Sequence, residues 1–428
     1  AGCVGFYGSA GLTPDVIEAG VQEIKAQLTP EQTAWGANLI HSPQQPGYEA
    51  RVVDLFLAQG VKRVSASAFM KLSVELVRYT AIGLSRAADG TIHRENHVFA
   101  KVSRAEVAEP FMSPAPARLL SELVARGAIT AEQADLASQV PVAAEITAES
   151  DSGGHTDNRP ASVLFPSLAL ARDRVAARTG VDANAIRIGL AGGLSTPASV
   201  AAAFSMGAAY VLTGSVNQSA VESGLSEAGR RLLAKAGPAD VAMAPAADMF
   251  EQGVEVQVLK RGTLFAMRGK RLHAMYRSGA SYETLPAKDQ AWLDDVLGEP
   301  FDAAWQRTLA YIRQANPAEA ARAESDGNKR LALVARRYLF MGAQWAREGT
   351  PGREMDYQVW CGPAMGVFNE WVAGSFLEPT ENRTIKQIAW NLLEGAAQFT
   401  RAGQLRALGL PVAPTDFTYT PRQFADAE

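Results

Sequence analysis

The chain has 428 residues, of which 47% are hydrophobic and 20% are charged, a composition typical of globular proteins. Its formal net charge of -4 and pI near 5.9 give no electrostatic argument for binding nucleic acid or an anionic membrane. No apolar run approaches the roughly 18 residues that a membrane span needs. The two cysteines, Cys3 and Cys361, are too far apart in sequence for a disulfide framework, so we expect a cytoplasmic protein.

Up to about residue 220, short β-like runs alternate with longer amphipathic helical patterns. Seven strands are predicted, in the opening run GCVGFYGSAG and at residues 36–41, 61–69, 96–103, 141–150, 185–193 and 208–215. Strands that are apolar on both faces and separated by helices predict an α/β protein with a covered parallel sheet. A closed (β/α)8 TIM barrel needs eight strands, so we expect one more strand before Ala1.

After residue 215 the alternation stops, and helical patterns rich in tryptophan and alanine continue to about residue 348. The glycine and proline cluster EGTPGREMDYQVWCGPAMG interrupts them before a last amphipathic helix, TIKQIAWNLLEGAAQFTRAGQLRALG. We therefore predict a barrel at residues 1–220 and a mainly helical substrate-binding domain at 221–348. The C-terminal helices at 349–428 are expected to pack back on the barrel.

Glycine-rich loops follow two consecutive predicted strands, where the chemistry of βα barrels is located. One strand ends at Gly192 and Gly193 in GLAGGLSTPAS, which leads into a helix beginning near Pro197 with Thr196 as its expected N-cap. The next strand ends at Gly214 and Ser215 in VLTGSVNQS. Such strand ends let backbone N–H groups converge on a phosphate, helped by a helix N-terminus. For either loop alone, glycine that relieves crowding in a tight turn is an equal alternative, but the consecutive pair favours a phosphate site.

Polar side chains also occur within apolar strands, at Asn38 in GANLI and at Lys101 in FAKVS. A buried lysine is costly unless it has a partner. Lys101 is therefore either paired with Glu145 or Glu149, or held for an electron-rich ligand such as a flavin ring, and both alternatives stay open. The opening loop GFYGSAG, with Gly8 at its centre, would let the backbone approach a flat ligand closely.

The stretch ESDSGGHTDNRP follows an apolar strand and places His155 directly after Gly153 and Gly154. The glycines would let a ligand lie against the backbone, and an imidazole there can donate a hydrogen bond or a proton near neutral pH. Asp151 and Asp157 are the expected partners that set its tautomer. A histidine that only caps the loop is the structural alternative. The other histidines lack zinc-ligand spacing with the cysteines, so no metal is expected.

Several long motifs resemble the PfaD-type enoyl reductases, trans-acting enzymes of bacterial polyketide and polyunsaturated-fatty-acid synthases that are related to nitronate monooxygenases. The motifs are SDSGGHTDNRP, GLAGGLSTPASVAAAFSMGAAYVLTGSVNQS, ADMFEQGVEVQVLKRGTLFAMRGKRL, KVSRAEVAEPFMSPAP and ANLIHSPQQPGYE. The resemblance covers nearly the whole chain. It implies FMN in a βα barrel, NADPH as the reductant, and an α,β-unsaturated thioester carried by an acyl carrier protein.

The resemblance also implies roles for individual residues. The expected cofactor-binding residues are Gly8, Ser9, Asn38, Lys101, Glu145, Asp151, Gly153, Gly154, Ala191, Gly192, Gly193, Gly214 and Ser215. Among them, the Ala191–Gly193 and Gly214–Ser215 elements would bind the FMN phosphate. Asn38, Lys101 and the opening loop would line the isoalloxazine. His155 matches the active-site histidine of the superfamily and would hydrogen-bond the thioester oxygen or supply a proton.

The implied reaction is a ping-pong reduction, in which NADPH reduces the flavin and leaves before the enoyl thioester is reduced. The basic run LKRGTLFAMRGKR, with Lys260 and Arg261, is a docking candidate for the acidic carrier protein, and a solvated surface is its alternative. A flavin nitronate monooxygenase is the enzymatic alternative, and a flavin-free scaffold is the non-catalytic one. Whether the chain forms a homodimer is left open.

Overall fold

The computed structural model describes residues 2–29, 31–42, 45 and 47–425, so Pro43, Gln44 and Pro46 of the motif ANLIHSPQQPGYE lie outside the described residues. The chain forms two units. Unit 1 comprises Ala1–Asp151, Asp157–Ala191 and Ser199–Leu212, and unit 2 comprises Ser152–Thr156, Gly192–Ala198 and Thr213–Glu428. The predicted division at residues 220 and 348 stays a prediction.

The strands are β1 (Gly5–Tyr7), β2 (Trp35–Ile40), β3 (Arg63–Ser67), β4 (Ser85–Arg86), β5 (Ile92–His93), β6 (His97–Val102), β7 (Glu145–Glu149), β8 (Gly154–His155), β9 (Arg187–Ala191), β10 (Val211–Leu212), β11 (Val241–Pro245) and β12 (Glu255–Leu259). The helices are α1 (Pro14–Gln27), α2 (Tyr48–Ala58), α3 (Val74–Ala81), α4 (Ala105–Met112), α5 (Ala117–Ala125), α6 (Ala131–Ala137), α7 (Ala161–Thr179), α8 (Pro197–Ser205), α9 (Glu227–Leu233), α10 (Phe265–Arg277), α11 (Ala287–Leu297), α12 (Phe301–Ala315), α13 (Pro317–Ser325), α14 (Gly327–Glu348), α15 (Ala364–Val372) and α16 (Ile385–Ala407).

Unit 1 is built on a curled sheet of seven parallel strands in the order β1-β2-β3-β6-β7-β9-β10. These are the seven strands predicted from the sequence, and their order follows the chain, as in a βα barrel. In the described residues, β1 and β10 are the two edges of the sheet. The α/β class with a parallel barrel-like sheet is therefore confirmed, and the eighth strand stays a prediction.

The two faces of this sheet differ because side chains alternate along each strand. In β6, Val98, Ala100 and Val102 are buried among the apolar residues of the core, at 3% exposure or less. The intervening residues Phe99 and Lys101 point to the opposite face. Because of this alternation, β6 is mostly apolar and still places the Lys101 side chain on the face opposite the buried core.

Aromatic rings fill the middle of that second face. Phe99 packs edge-on against Phe6 and Tyr210, with ring centroids 5.1 and 5.5 Å apart. The hydroxyl group of Tyr210 hydrogen-bonds Thr147 Oγ1 at 2.8 Å. A Cβ atom at Gly189 would overlap the ring of Tyr210, so this glycine makes room for the tyrosine. The inner face of the sheet is therefore packed with side chains at mid-height, as in TIM barrels.

Unit 2 contains a small antiparallel sheet in the order β11-β12-β8, which the sequence did not predict. Its central strand β12 pairs along its whole length with β11 and at two positions with β8. Helices α10 to α14 supply most of the apolar core that covers this sheet, including the fully buried Phe265, Leu293 and Leu339. Between residues 221 and 348, this sheet is followed by helices α10 to α14, and the bounds of the predicted helical domain stay a prediction.

The last predicted amphipathic helix is α16, whose N-cap Thr384 accepts a hydrogen bond from the backbone N–H of Gln387. Across the described ranges, no helix combines the length and apolar character that crossing a membrane requires. The same residues contain no group of three or more His, Cys, Asp or Glu side chains that could hold a metal ion.

Candidate active site

Lys101 and Glu149 lie at the carboxyl ends of β6 and β7 in unit 1. Lys101 Nζ is 2.6 Å from Glu149 Oε1, and each side chain is 22% exposed. Of the two alternatives raised by the sequence, the structure shows the ion pair, with Glu149 rather than Glu145 as the partner. One carboxylate oxygen satisfies one of the three N–H donors of an ammonium group, so the pair does not exhaust the donors of Lys101.

Asn38 belongs to a hydrogen-bonded group at the ends of β1, β2 and β3. Its Nδ2 donates to Ser65 O at 2.7 Å and to Ser67 Oγ at 3.0 Å. The hydroxyl group of Ser9, which is 3% exposed and follows β1, donates to the carbonyl oxygen of Asn38. The opening loop and Asn38 are therefore brought together, as the sequence predicted. A Cβ atom at the neighbouring Gly8 would meet nothing within 4 Å.

Glu145, another of the expected cofactor-binding residues, lies at the opposite end of β7 from Glu149. It begins β7, whereas Glu149 ends this strand, so the two carboxylates are separated by roughly 13 Å along the strand. Glu145 is 1% exposed and forms an ion pair with Arg187, and its Oε1 lies 3.9 Å from His97 Nδ1. These partners lie at the amino ends of the strands, where side chains serve a barrel's stability rather than its chemistry. Glu145 thus has a local ion-pairing role.

The glycines of the GGH element accommodate another part of the chain. A Cβ atom at Gly153 would lie 2.6 Å from both Cα and N of Cys361. Gly154 has φ +83°, and its Cβ would lie 3.3 Å from the indole ring of Trp360. Gly362 is also close-packed, since its Cβ would lie 3.3 Å from the backbone nitrogen of Gly153. We call the contact of residues 152–154 with residues 360–362 the glycine crossing.

Hydrogen bonds from three sides hold the glycine crossing together within unit 2. Gln257 Nε2, on β12, donates to Ser152 O at 2.8 Å. The backbone N–H of Gly362 donates to Ser215 Oγ at 3.2 Å, and the side chain of Gln218 donates to Trp360 O. The hydroxyl group of Ser215, expected at the cofactor phosphate, is therefore already an acceptor for the crossing.

His155 directly follows residues 152–154 of the glycine crossing. It pairs with Val256 in the β8–β12 ladder, and its side chain is 41% exposed. His155 Nε2 lies 3.3 Å from Asp248 Oδ1, and the imidazole ring meets the edge of Trp360 at a centroid distance of 6.3 Å. Sequence reasoning missed both Asp248 and Trp360, because each is far from His155 along the chain. The motif ADMF contains Asp248, which is the one signal that could have indicated it.

The two aspartates expected beside His155 have other partners in unit 1. Asp157 accepts two hydrogen bonds from Arg104, both at 2.7 Å, and one from Ser103 Oγ at 2.5 Å. The hydrogen bonds from Arg104, assisted by that from Ser103, lower the pKa of Asp157 to about 2 although burial acts to raise it. Asp151 accepts from Asn158 Nδ2 at 2.9 Å. The expectation for Asp157 is therefore wrong, and Asp248 is the carboxylate found at His155.

The two loops expected to bind a phosphate belong to unit 2. Gly192 and Gly193 have φ of +83° and +69°, conformations that favour glycine. Added Cβ atoms at Gly193 and Gly214 would meet nothing within 4 Å. Helix α8 begins at Pro197, as predicted, and places an N-terminus after the first loop. These residues fit a phosphate group, because backbone without side chains and a helix N-terminus are what an anion site requires.

The basic run after β12 is largely paired with acidic residues of unit 2. Arg268 forms an ion pair with the buried Asp356, and Arg271 lies 2.7 Å from Asp289. Arg261, which is more than half exposed, lies 3.2 Å from Asp240. Lys260 is exposed in the turn that follows β12. The structure therefore leaves Lys260 exposed and Arg261 exposed beside Asp240, rather than a broad basic face.

Comparisons with known proteins give consistent results over nearly the whole chain. The chain is 42% identical over 428 residues to a polyunsaturated fatty acid synthase subunit of Thraustochytrium sp., and the match covers 98% of this chain and 28% of that protein. It is 38% identical over 397 residues to the polyketide biosynthesis protein PksE of Bacillus subtilis, covering 93% of this chain and 51% of PksE. The chain thus spans about half or less of these two relatives.

A solved structure matches nearly end to end. The enoyl reductase domain of MlnA, from the macrolactin biosynthesis cluster of Bacillus amyloliquefaciens, superposes with a TM-score of 0.88 at 34% identity. The match covers 95% of this chain and 91% of that one. Separately, the family described as acyl-carrier-protein S-malonyltransferase, inserted helical domain, matches residues 280–357, which include α11 to α14.

Proposed function

We propose that this chain has the activity of the family to which it belongs. That family is the PfaD-type enoyl reductases, which include the enoyl reductase domain of MlnA. The proposed activity is reduction of the α,β-double bond of an enoyl thioester carried by an acyl carrier protein, in polyketide or polyunsaturated fatty acid biosynthesis. NADPH is the proposed reductant and FMN the proposed cofactor. The observation that carries the proposal is a half-exposed imidazole, His155, which contacts Asp248 and Trp360 within unit 2.

The proposed cofactor-binding residues fall into two groups, and each fits its assigned part. In unit 2, the backbone of Gly192, Gly193 and Gly214 would hold the phosphate, because neither Gly193 nor Gly214 has a protein atom within 4 Å of where a Cβ would be. Lys101, near the end of β6, and Asn38, on β2, are proposed as ring-binding residues from the family resemblance. When bound, FMN supplies the redox chemistry, which no side chain can carry out.

The residues of the chain would then orient the substrate and move a proton. Reduction adds hydrogen to the β-carbon and requires a proton at the α-carbon, while negative charge develops on the thioester oxygen. His155 is the proposed group that hydrogen-bonds this oxygen or supplies the proton. The Lys101 ammonium would place positive charge where the reduced cofactor becomes anionic, and its pairing with Glu149 limits the cost of holding that charge in a half-buried position.

His155→Ala tests this assignment in the flavin-loaded protein. We expect unchanged FMN content and loss of most turnover in NADPH oxidation by a carrier-bound crotonyl thioester, measured without oxygen. The control is His93→Ala, which removes an exposed imidazole from β5 in unit 1. Loss of flavin from His155→Ala, with activity restored by excess FMN, would show a structural role instead.

The same assay separates the proposed function from its rivals. A nitronate monooxygenase would consume oxygen with a nitronate and would not need NADPH. A purified protein without the yellow colour of oxidised flavin, and unable to take FMN up, would favour a non-catalytic scaffold. Thioester-dependent NADPH oxidation under anaerobic conditions supports the enoyl reductase over both.

Lys260 and Arg261 are the proposed docking point for the carrier protein. Carrier proteins are typically acidic, and an exposed charge at the rim of an interface mainly accelerates encounter. Lys260→Glu with Arg261→Glu should raise KM for the carrier-bound thioester by about tenfold while leaving a small thioester analogue unaffected. Lys288→Glu, an exposed lysine on α11, is the matched control. An equal effect on both substrates would exclude docking at this surface.

A further inference from the structure

We infer that Asp248 is a positioning residue that holds His155 through Nε2 and leaves Nδ1 as the ring nitrogen that exchanges a proton with the substrate. The inference rests on the proposed function for its catalytic part. It begins from the 3.3 Å distance between His155 Nε2 and Asp248 Oδ1. The contacts described for this imidazole are the one at Nε2 and the edge contact with Trp360, and neither involves Nδ1 as a hydrogen-bonding atom.

Asp248 is held at His155 by a loop that is fixed at both ends. The loop follows β11, and the backbone N–H of Ala246 donates to Val254 O at 2.9 Å. On the other side, Phe250 is fully buried and its carbonyl accepts from the N–H of Gly253 at 3.1 Å. The exposed carboxylate of Asp248 therefore projects from a loop whose flanking residues are anchored in the core of unit 2.

The imidazole is constrained from three directions. Its backbone is paired with Val256, Asp248 contacts Nε2, and Trp360 presents its edge to the ring. Trp360 is itself fixed by the glycine crossing, because Gly154 leaves no side chain between its backbone and the indole. A ring held in this way cannot turn to exchange its two nitrogens without breaking the contact with Asp248.

The charge on Asp248 is suited to this role. Desolvation acts to raise the pKa of Asp248, but the hydrogen bond and charge of His155 and the backbone N–H groups of residues 248 and 249 lower it overall. The carboxylate is therefore ionised at neutral pH and accepts the Nε2 hydrogen. Carboxylates that orient catalytic imidazoles do so by fixing which nitrogen carries hydrogen.

Proton donation uses the imidazolium form of His155, in which both Nε2 and Nδ1 carry hydrogen. In the proposed reaction, a hydride equivalent adds to the β-carbon and the Nδ1–H bond breaks as its proton passes to the α-carbon. The ring is left as the neutral Nε2–H tautomer, whose hydrogen stays bonded to Nε2 and faces Asp248. Uptake of one proton from solvent restores the Nδ1–H group, so that NADPH, one proton and the enoyl thioester yield NADP⁺ and the saturated thioester.

Asp248→Ala tests the inference in the flavin-loaded chain, with Asp248→Glu as the conservative variant and Asp289→Asn, in another ion pair of unit 2, as the control. We expect kcat for the carrier-bound thioester to fall about 10- to 100-fold in Asp248→Ala with little change in KM. Asp248→Glu should recover part of the loss. Flavin content and thermal unfolding identify a variant that has simply failed to fold.

A second readout is independent of turnover. Nitrogen-15 spectra of protein labelled at histidine report which ring nitrogen carries hydrogen, and five histidines allow assignment by comparison with His155→Ala. We expect hydrogen at Nε2 of His155 in the native chain and a mixture of tautomers in Asp248→Ala. An unchanged tautomer, or an unchanged kcat in a variant that reduces enoyl thioesters, would overturn the inference. If no variant reduces enoyl thioesters, the proposed function fails while the tautomer still tests the pairing.

Discussion

Two kinds of glycine occur after the strands of this protein, and they are built for opposite purposes. At Gly153, an added Cβ would lie 2.6 Å from the backbone of Cys361. At Gly193 and Gly214, an added Cβ would meet nothing within 4 Å. Both kinds follow strands and both carry neighbouring polar residues, so they look alike in the sequence. The first is closed by the chain itself, and the second is open.

The comparison shows what a glycine motif can and cannot indicate. A glycine in a motif indicates that something approaches the backbone closely, but it does not indicate whether that partner is a ligand or another segment of the chain. For the GGH element, the sequence indicated a ligand, whereas the structure places residues 360–362 there. The open pair Gly193 and Gly214 remains the better candidate for a phosphate.

Gly153→Ala should have the largest effect, because the closed loop has no space for a methyl group. We expect loss of about 3 kcal/mol in the free energy of unfolding, measured by chemical denaturation. The control is Gly224→Ala, where the added Cβ meets nothing within 4 Å. A Gly153→Ala protein as stable as the native one would break the comparison, since the loop would then have space after all.

Asp157→Asn tests the ion pair between Asp157 and Arg104, which follows the closed loop at Gly153 in the chain. The pKa of Asp157 is lowered from 3.8 to about 2 by the hydrogen bonds from Arg104 and Ser103. A lowered carboxyl pKa stabilises the folded state above about pH 4, and this contribution of about 2 kcal/mol is lost as the pH falls towards 2.

The asparagine variant should therefore lose about 2 kcal/mol at neutral pH and show a flatter stability profile between pH 4 and 2. Thermal unfolding followed across that range checks both expectations. Flavin content should not change, because this ion pair follows the closed loop at Gly153 and is not part of the open loops at Gly193 and Gly214. An unaltered acid profile would mean that the ion pair with Arg104 contributes nothing.

Gly214→Ala should have the smallest effect on folding and a clear effect on the cofactor. The open loop accepts a methyl group without contact, so the unfolding midpoint should remain within about 2 °C of the native value. The methyl group would occupy the space assigned to the phosphate, and we expect FMN affinity to fall about tenfold, or roughly 1.4 kcal/mol. Fluorescence titration with FMN measures this. Unchanged affinity would place the phosphate elsewhere.

The sequence allowed prediction of the fold of unit 1 because each strand and helix there is a local pattern. All seven parallel strands and the start of α8 at Pro197 were predicted from apolar runs and capping residues. The strand direction could also have placed Glu145 at the amino end of β7, away from the other cofactor candidates.

The parts that could not be predicted depend on contacts between distant residues. Strand β8 is two residues long and is defined only by its pairing with β12, about 100 residues later. Asp248 reaches His155, and Trp360 covers Gly154, without any periodic pattern in the sequence that links them. The residue type of His155 therefore indicated the chemistry of the GGH element, but its partners Asp248 and Trp360 could be identified only from the structure.

The glycine crossing has a consequence for synthesis of the protein on the ribosome. It joins segments roughly 200 positions apart, so the loop that carries His155 cannot be completed until residue 362 has left the exit tunnel. All seven strands of unit 1 have been translated by residue 212 and can pair earlier. A nascent chain arrested near residue 340 should therefore be protease-resistant across β1 to β10 but cleaved in the segment around residues 152–156.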